Sequence, residues 1–215
     1  MRKIILALFS SCLILPIAAQ QQKADVRSHT IFAFPEFKEA KVLQPFGRFT
    51  KAKANILLKN GALCFMQEDK VMQAYTRNVL GVEFDSIQYR KVDETKMGRV
   101  VAQKNHDYLL CVTTINMEKL KAETTGGDNM QFLDMPETGA FFEIDGGAFE
   151  FDKGYPLQNK YYFSVKGQVF PANETNFKKH VKPDMMKAFK RLMNDRYWSW
   201  NDPASLTQLF TYIKE

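Results

Sequence analysis

The apolar positions of this 215-residue chain follow three different patterns, and each predicts a different kind of element. The first is a mainly apolar run over 4–15, in which Ser10 and Ser11 are the polar residues, set behind Arg2 and Lys3 and ended by Pro16, Ala18 and Ala19. A basic start, a short apolar middle and a small-residue exit are the parts of a cleavable secretory signal peptide, so 1–19 reads as one. The run is shorter than the roughly 20 residues a spanning helix needs, and Pro16 interrupts it, so a retained anchor fits poorly. Lipidation at Cys12 also fits poorly, because Phe9 is bulky for a lipobox and the apolar run continues to Leu15. Residues 20–30 are polar and read as a flexible leader, which leaves one domain over 31–215.

The second pattern has period two. Asn60-Gly61 lies between two apolar stretches, and both residues accept the positive φ of a two-residue hairpin turn. Pairing outward from that turn sets Leu58 against Leu63, Leu57 against Cys64 and Ile56 against Phe65, with Ala54, Ile56, Leu58, Leu63 and Phe65 on one core face. Similar β-branched and aromatic runs predict strands over 86–92, 99–103, 108–115, 139–144, 148–151, 161–165 and 168–171. Their turns are Asn105-His106-Asp107, Asp145-Gly146-Gly147 and Lys166-Gly167, while 123–129 and 152–159 read as loops. Phe32, Phe34 and Phe37 flank Pro35, which suits an edge segment more than a central strand.

The third pattern is helical. Met185, Phe189, Leu192, Met193 and Tyr197 recur at helical spacing behind Pro183, predicting a helix over 183–197. Asp202 as N-cap and Pro203 at the first helical position open a second helix over 202–214, with Leu206, Leu209, Phe210 and Ile213 on one stripe. The fold class expected is therefore α+β: mainly antiparallel β, as a sheet, sandwich or partly open barrel, closed by two C-terminal helices.

Charge changes this picture little. The chain carries a formal +6, of which Arg2 and Lys3 leave with the signal. Acids nearly match bases, so the balance gives no reason to expect a nucleic-acid partner. Lys187, Lys190 and Arg191, together with Lys178, Lys179, Lys182 and Arg196, nevertheless crowd the first C-terminal helix, and Trp198 and Trp200 follow it. These residues form a candidate partner-binding patch for polyanionic sugars or lipid headgroups; the alternative is the solvated face of an amphipathic helix with two anchoring indoles.

Catalytic signatures are sparse. There is no Gly-x-Ser-x-Gly elbow, no zinc-type His-Glu-x-x-His and no Cys-x-x-Cys, and the three histidines are His29, His106 and His180. No catalytic, metal or cofactor set is expected. Asp128, Asp145 and Asp152 lack the alternation of a calcium loop. Glu143, Asp145, Glu150 and Asp152 alternate along two expected strands, which would suit either a glycosidase or a plain solvated face. Cys64 and Cys111 are the two cysteines left after cleavage, and export makes a disulfide between them a candidate.

The runs ANILLKNG at 54–61, GVEFD at 81–85, GRVVAQ at 98–103 and WSWND at 198–202 together resemble uncharacterised exported β-rich proteins of Gram-negative gut bacteria. The resemblance implies export but no known activity. Asp85-Ser86-Ile87 is similar to a short O-glycosylation acceptor used on exported proteins of such bacteria, which makes Ser86 a candidate acceptor. Taken together, these features lead us to expect a periplasmic or secreted, non-enzymatic domain binding an envelope, polysaccharide or protein partner, with no transmembrane segment after cleavage. The alternative is a carboxylate-dependent glycan hydrolase.

Overall fold

The computed structural model describes residues 26–68, 70–124 and 151–214, and the backbone of 141–143. Among these, twelve antiparallel strands form one sheet: β1 (Arg27–Ser28), β2 (Lys38–Leu43), β3 (Phe49–Leu57), β4 (Ala62–Gln67), β5 (Lys70–Gln73), β6 (Gly81–Phe84), β7 (Ile87–Lys91), β8 (Met97–Lys104), β9 (Asp107–Ile115), β10 (Phe141–Glu143), β11 (Tyr155–Val165) and β12 (Gln168–Pro171). The order β1-β11-β9-β8-β7-β6-β2-β3-β4-β5-β10 makes β2 the pivot of two meanders. One runs outward from β2 through β3, β4 and β5. The other starts at β6, on the other edge of β2, and runs through β7, β8 and β9 to β11, whose far edge takes β1 at one end and β12 at the other. The sheet curls into an open half-barrel, so the mainly antiparallel α+β class read from the sequence holds.

The expected hairpin at Asn60-Gly61 exists, but its register differs. Ile56 pairs with Leu63 and Leu57 with Ala62, which leaves the four residues 58–61 as the loop. Only Gly61 has positive φ, and its N–H donates to the Leu57 carbonyl at 2.8 Å, closing a helical turn instead of a two-residue turn. Leu58 is drawn out of the ladder because it is used elsewhere: its N–H donates to Ile31 O and its carbonyl accepts from Ile115, both at 2.7 Å. The slip is two places, an even number, so alternation is preserved. Ala54, Ile56, Leu63 and Phe65 still share one apolar cluster, with Phe84 and Met97, while Leu58 joins Leu57 and Cys64 in a second. A Cβ at Gly61 would stand 3.0 Å from Val112, so the loop packs directly on β9.

The chain before β2 also belongs to the sheet. Arg27 and Ser28 pair with Pro156 and Tyr155, and Arg27 forms two hydrogen bonds to the Glu123 carboxylate, so the polar stretch expected as a leader is already ordered from residue 27. Residues 31–33 then lie along β3, and 38–43 resume the same partner strand in a shifted register. Between them, at the break around Pro35, the side chain of Asn55 replaces the ladder. It accepts from the Phe34 N–H and donates to the carbonyls of Phe34 and Glu36. Asn55 is fully buried, and these bonds satisfy its amide.

Helices close the remaining surface. The expected loop over 123–129 is preceded by an unexpected helix, α1 (Met117–Glu123), capped by Asn116 and burying Leu120 in the second cluster. A short helix α2 (Glu174–Phe177) follows β12. The helix expected over 183–197 is a 3₁₀ turn at Pro183–Met185 and then α3 (Met186–Met193); Tyr197 lies beyond it and is exposed. The second expected helix is α4 (Pro203–Gln208) with a 3₁₀ extension, and Asp202 caps it by accepting from Ser205 N. Its predicted stripe of Leu206, Leu209, Phe210 and Ile213 is buried against Leu109 and Phe163, a cross-strand pair, in a third cluster that also holds Phe177 and Phe189. Strand β11 starts at Tyr155, inside the stretch expected to be a loop, whereas 168–171 is a strand as read.

Ile56 faces the first cluster from near the end of β3, so Ile56→Asp should cost more than about 2 kcal/mol by placing an unpaired charge in it. The exposed Lys53→Gln on the same strand should cost less than about 0.5 kcal/mol. Urea unfolding of the two variants measures the difference, and equal small effects would show the faces to be wrong.

Candidate functional site

The structure does not gather the residues singled out in the sequence into one place. Lys187, Lys190 and Arg191 stand exposed on α3, whose other side buries Phe189. Trp198 and Trp200 are half-buried and meet edge to face at 5.5 Å, with Trp200 also 6.4 Å from Phe177. The Trp198 Nε1 is shielded from solvent with no hydrogen-bond partner among the described residues, and the half-buried indole packs against the third cluster. Ser86 is exposed in the Asp85-Ser86 turn between β6 and β7, where an enzyme can reach it. Of the four alternating carboxylates, Asp145 and Glu150 lie outside the described residues, as does Asp128. Glu143 is in β10 opposite Lys70, and Asp152 is exposed. No group of three metal-ligating side chains occurs among the described residues.

Cys64 and Cys111 are free buried thiols on β4 and β9. Burial pushes the Cys64 thiol up to about 12, only partly offset by a hydrogen bond from the Leu57 backbone. Burial also raises Cys111, against the contact of its sulfur with the Thr113 hydroxyl at 3.7 Å. Raised pKa values leave almost no thiolate at neutral pH, so neither is built as a nucleophile.

A basic cleft forms instead where three parts of the chain meet. The β8–β9 turn brings Lys104, Asn105, His106 and Asp107; the β11–β12 turn brings Lys166; and the C-terminal strip brings Lys182, Phe210, Ile213 and Lys214. The backbone fixes each part. Lys166 and Gly167 both take positive φ, as a tight two-residue turn requires, and the Lys166 N–H donates to the Asp107 carboxylate at 2.9 Å. Val181 pairs with Ile213, and flanking bonds from Lys182 N to Tyr212 O and Lys214 N to His180 O lay the end of the chain beside 180–182. The Nζ atoms of Lys104 and Lys214 donate to the carbonyls of Phe210 and Lys179.

The result is a cleft of about 500 Å³ lined by four lysines against one aspartate. Beside it the His180 ring stacks on Phe170 at 4.2 Å and 4°. Burial first, and then the ammonium groups of Lys214 and Lys179, hold His180 below its ordinary pKa, with Asp107 opposing them. The two ammonium contributions, smaller than that of burial, reflect the positive charge beside the ring. Chemically, the cleft can hold an anion, with Phe210 and Ile213 as an apolar wall; it contains no nucleophile and base pair. Of the four lysines, Lys182 alone belongs to the basic run visible in the sequence, because Lys104, Lys166 and Lys214 come from three separate segments.

If both thiols are free as placed, denatured protein cleaved after Ala19 should show two reactive thiols per chain without reductant; a count of none in protein that stays monomeric without reductant would support the Cys64–Cys111 bond instead. Compared with known proteins, the chain matches no family, no curated protein and no solved structure.

Proposed function

We propose that the protein is an exported, non-enzymatic binding domain that holds an anionic group of an envelope glycan or protein partner in the basic cleft. The observation that carries this reading is the convergence of Lys104, Lys166, Lys182 and Lys214 on one concavity with an apolar wall. Like charges held close together repel one another in the free protein, and an anion bound among them relieves that repulsion. The cleft's volume is within the range of small-ligand sites, enough for a phosphate, sulfate or uronate unit of a longer chain. Export rests on the signal-like pattern of 1–19. The glycan-hydrolase alternative rests on four carboxylates, of which Glu143 and Asp152 alone fall within the described residues.

Binding of a fluorescent sulfated oligosaccharide, followed by anisotropy, tests the cleft. Lys104→Glu with Lys214→Glu should weaken binding about ten-fold or more and flatten its dependence on salt, while Lys187→Glu with Lys190→Glu on α3 should change it little. Equal losses in both pairs would mean a diffuse charge effect and defeat the reading. Export has its own check: intact mass of protein from the periplasmic or culture fraction should give a chain starting at Gln20, and full-length material confined to the cytoplasm would remove the proposal's cellular setting.

A further inference from the structure

A second feature lies away from the cleft, at the tip of the β2–β3 hairpin. Gln44 N donates to Arg48 O across the loop, and at its apex Phe46 is 95% exposed with φ 61 and ψ 31. Both facts count against Phe at this position on grounds of folding. A left-handed backbone strains a side chain of this size, and its ring gains nothing from the core. Asn or Gly would relieve the strain at no loss of packing.

The neighbours extend the same surface. Phe49, the first residue of β3, is 51% exposed and pairs with Leu43. Leu80 is 52% exposed and its N–H donates to the Leu43 carbonyl. Around these three apolar side chains stand Arg48 in the loop and Lys41 and Lys51, which are directly opposed across β2 and β3. Opposed like charges disfavour strand pairing. Glu83 offsets one of them, at 3.8 Å from Lys41; Glu39 and Asp85 line the same hollow one step farther from the tip, and the Lys41 ammonium also lies 4.8 Å over the Phe49 ring.

We infer that this rim docks on a lipid bilayer bearing anionic headgroups, with Phe46 as the wedge that enters the interface and Phe49 and Leu80 behind it. The shape and charge decide the occupant. An apex side chain exposed on all sides is convex, so a protein partner would need a fitted pocket, whereas a bilayer interface accepts a protruding ring without one. Basic residues immediately behind an apolar tip place their charge at headgroup depth when the tip is inserted. No helix of the described residues is long and apolar enough to cross a membrane, and shallow docking does not require one.

Sedimentation of the purified protein with vesicles tests this. Vesicles of phosphatidylglycerol and phosphatidylcholine in equal parts should carry the protein down, and vesicles of phosphatidylcholine alone should do so much less. Phe46→Asn should lower the partition coefficient about ten-fold or more while leaving the melting temperature equal or higher. Lys41→Glu with Lys51→Glu should abolish the preference for the anionic vesicles. The cleft pair Lys104→Glu with Lys214→Glu should leave most of the binding intact. Absence of sedimentation by the unmodified protein, full binding by Phe46→Asn, or loss of binding only in the cleft pair would each overturn the inference, the last by assigning the lipid contact to the cleft.

Discussion

The buried amide of Asn55 holds together a strand that would otherwise lose its partner. Along β3, the chain from Ile31 to Leu43 supplies the neighbour in two stretches, 31–33 and 38–43, interrupted around Pro35, which cannot donate to a ladder. The break would leave Phe34 and Glu36 with buried or half-buried polar groups, each costing about 1–3 kcal/mol if unpaired. Asn55 supplies both a donor and an acceptor at that point, and its oxygen also accepts from Ile56 N at 2.8 Å. The register can therefore shift across the break without an orphaned group. An apolar residue of the same size would keep the packing and lose the bridge.

The rest of the architecture follows from having apolar side chains on both faces of β3. Ala54 and Ile56 face one cluster while Leu57 faces another, so the sheet has to be covered on two sides. Curling provides part of the cover, because the 58–61 loop reaches across to Ile115 and to Met97, whose N–H donates to Gly61 O. Helix α1 adds Leu120 to the second cluster. The far meander is left with Leu109 and Phe163 exposed on β9 and β11 unless something packs on them. Phe177, Phe189, Leu206 and Phe210 do so, and in turning back to complete this cap the chain places Lys182 and Lys214 beside the two hairpin turns that carry Lys104 and Lys166.

This dependence explains what could be read from the sequence and what could not. Local chemistry was legible: Asp202-Pro203 opens a helix, Lys166-Gly167 turns a hairpin, and the Leu206 to Ile213 stripe is buried. The Asn60-Gly61 signal placed a hairpin correctly but fixed the wrong register, because Leu58 is claimed by Ile31 and Ile115, contacts that no local pattern contains. Strands β2, β5 and β6 escaped notice for a similar reason: three of the first four residues of β2, Lys38, Glu39 and Lys41, are charged and exposed, and β5 and β6 have only four residues each. The cleft was hidden most completely, since its lysines are separated by up to 110 residues, the distance from Lys104 to Lys214, and meet only through the third cluster.

The cleft and the Phe46 rim are separated by the sheet itself, which bears on how each is to be understood. The rim continues from Leu80 to Lys91, whose N–H donates to Leu80 O, and Lys91 pairs with Met97 at the start of β8. Lys104 ends that strand, and eight extended residues span on the order of 25 Å, so a small ligand in the cleft cannot touch the rim. The two surfaces also differ in kind: the cleft is concave with charge inside and an apolar wall, the rim convex with apolar residues outermost and charge behind. A single diffuse attraction to polyanions would need neither the concavity of the first nor the strained Phe46 of the second. Each retains a feature that folding alone disfavours, clustered lysines in one case and a left-handed phenylalanine in the other, and that shared cost is the physical reason to treat them as two separate sites.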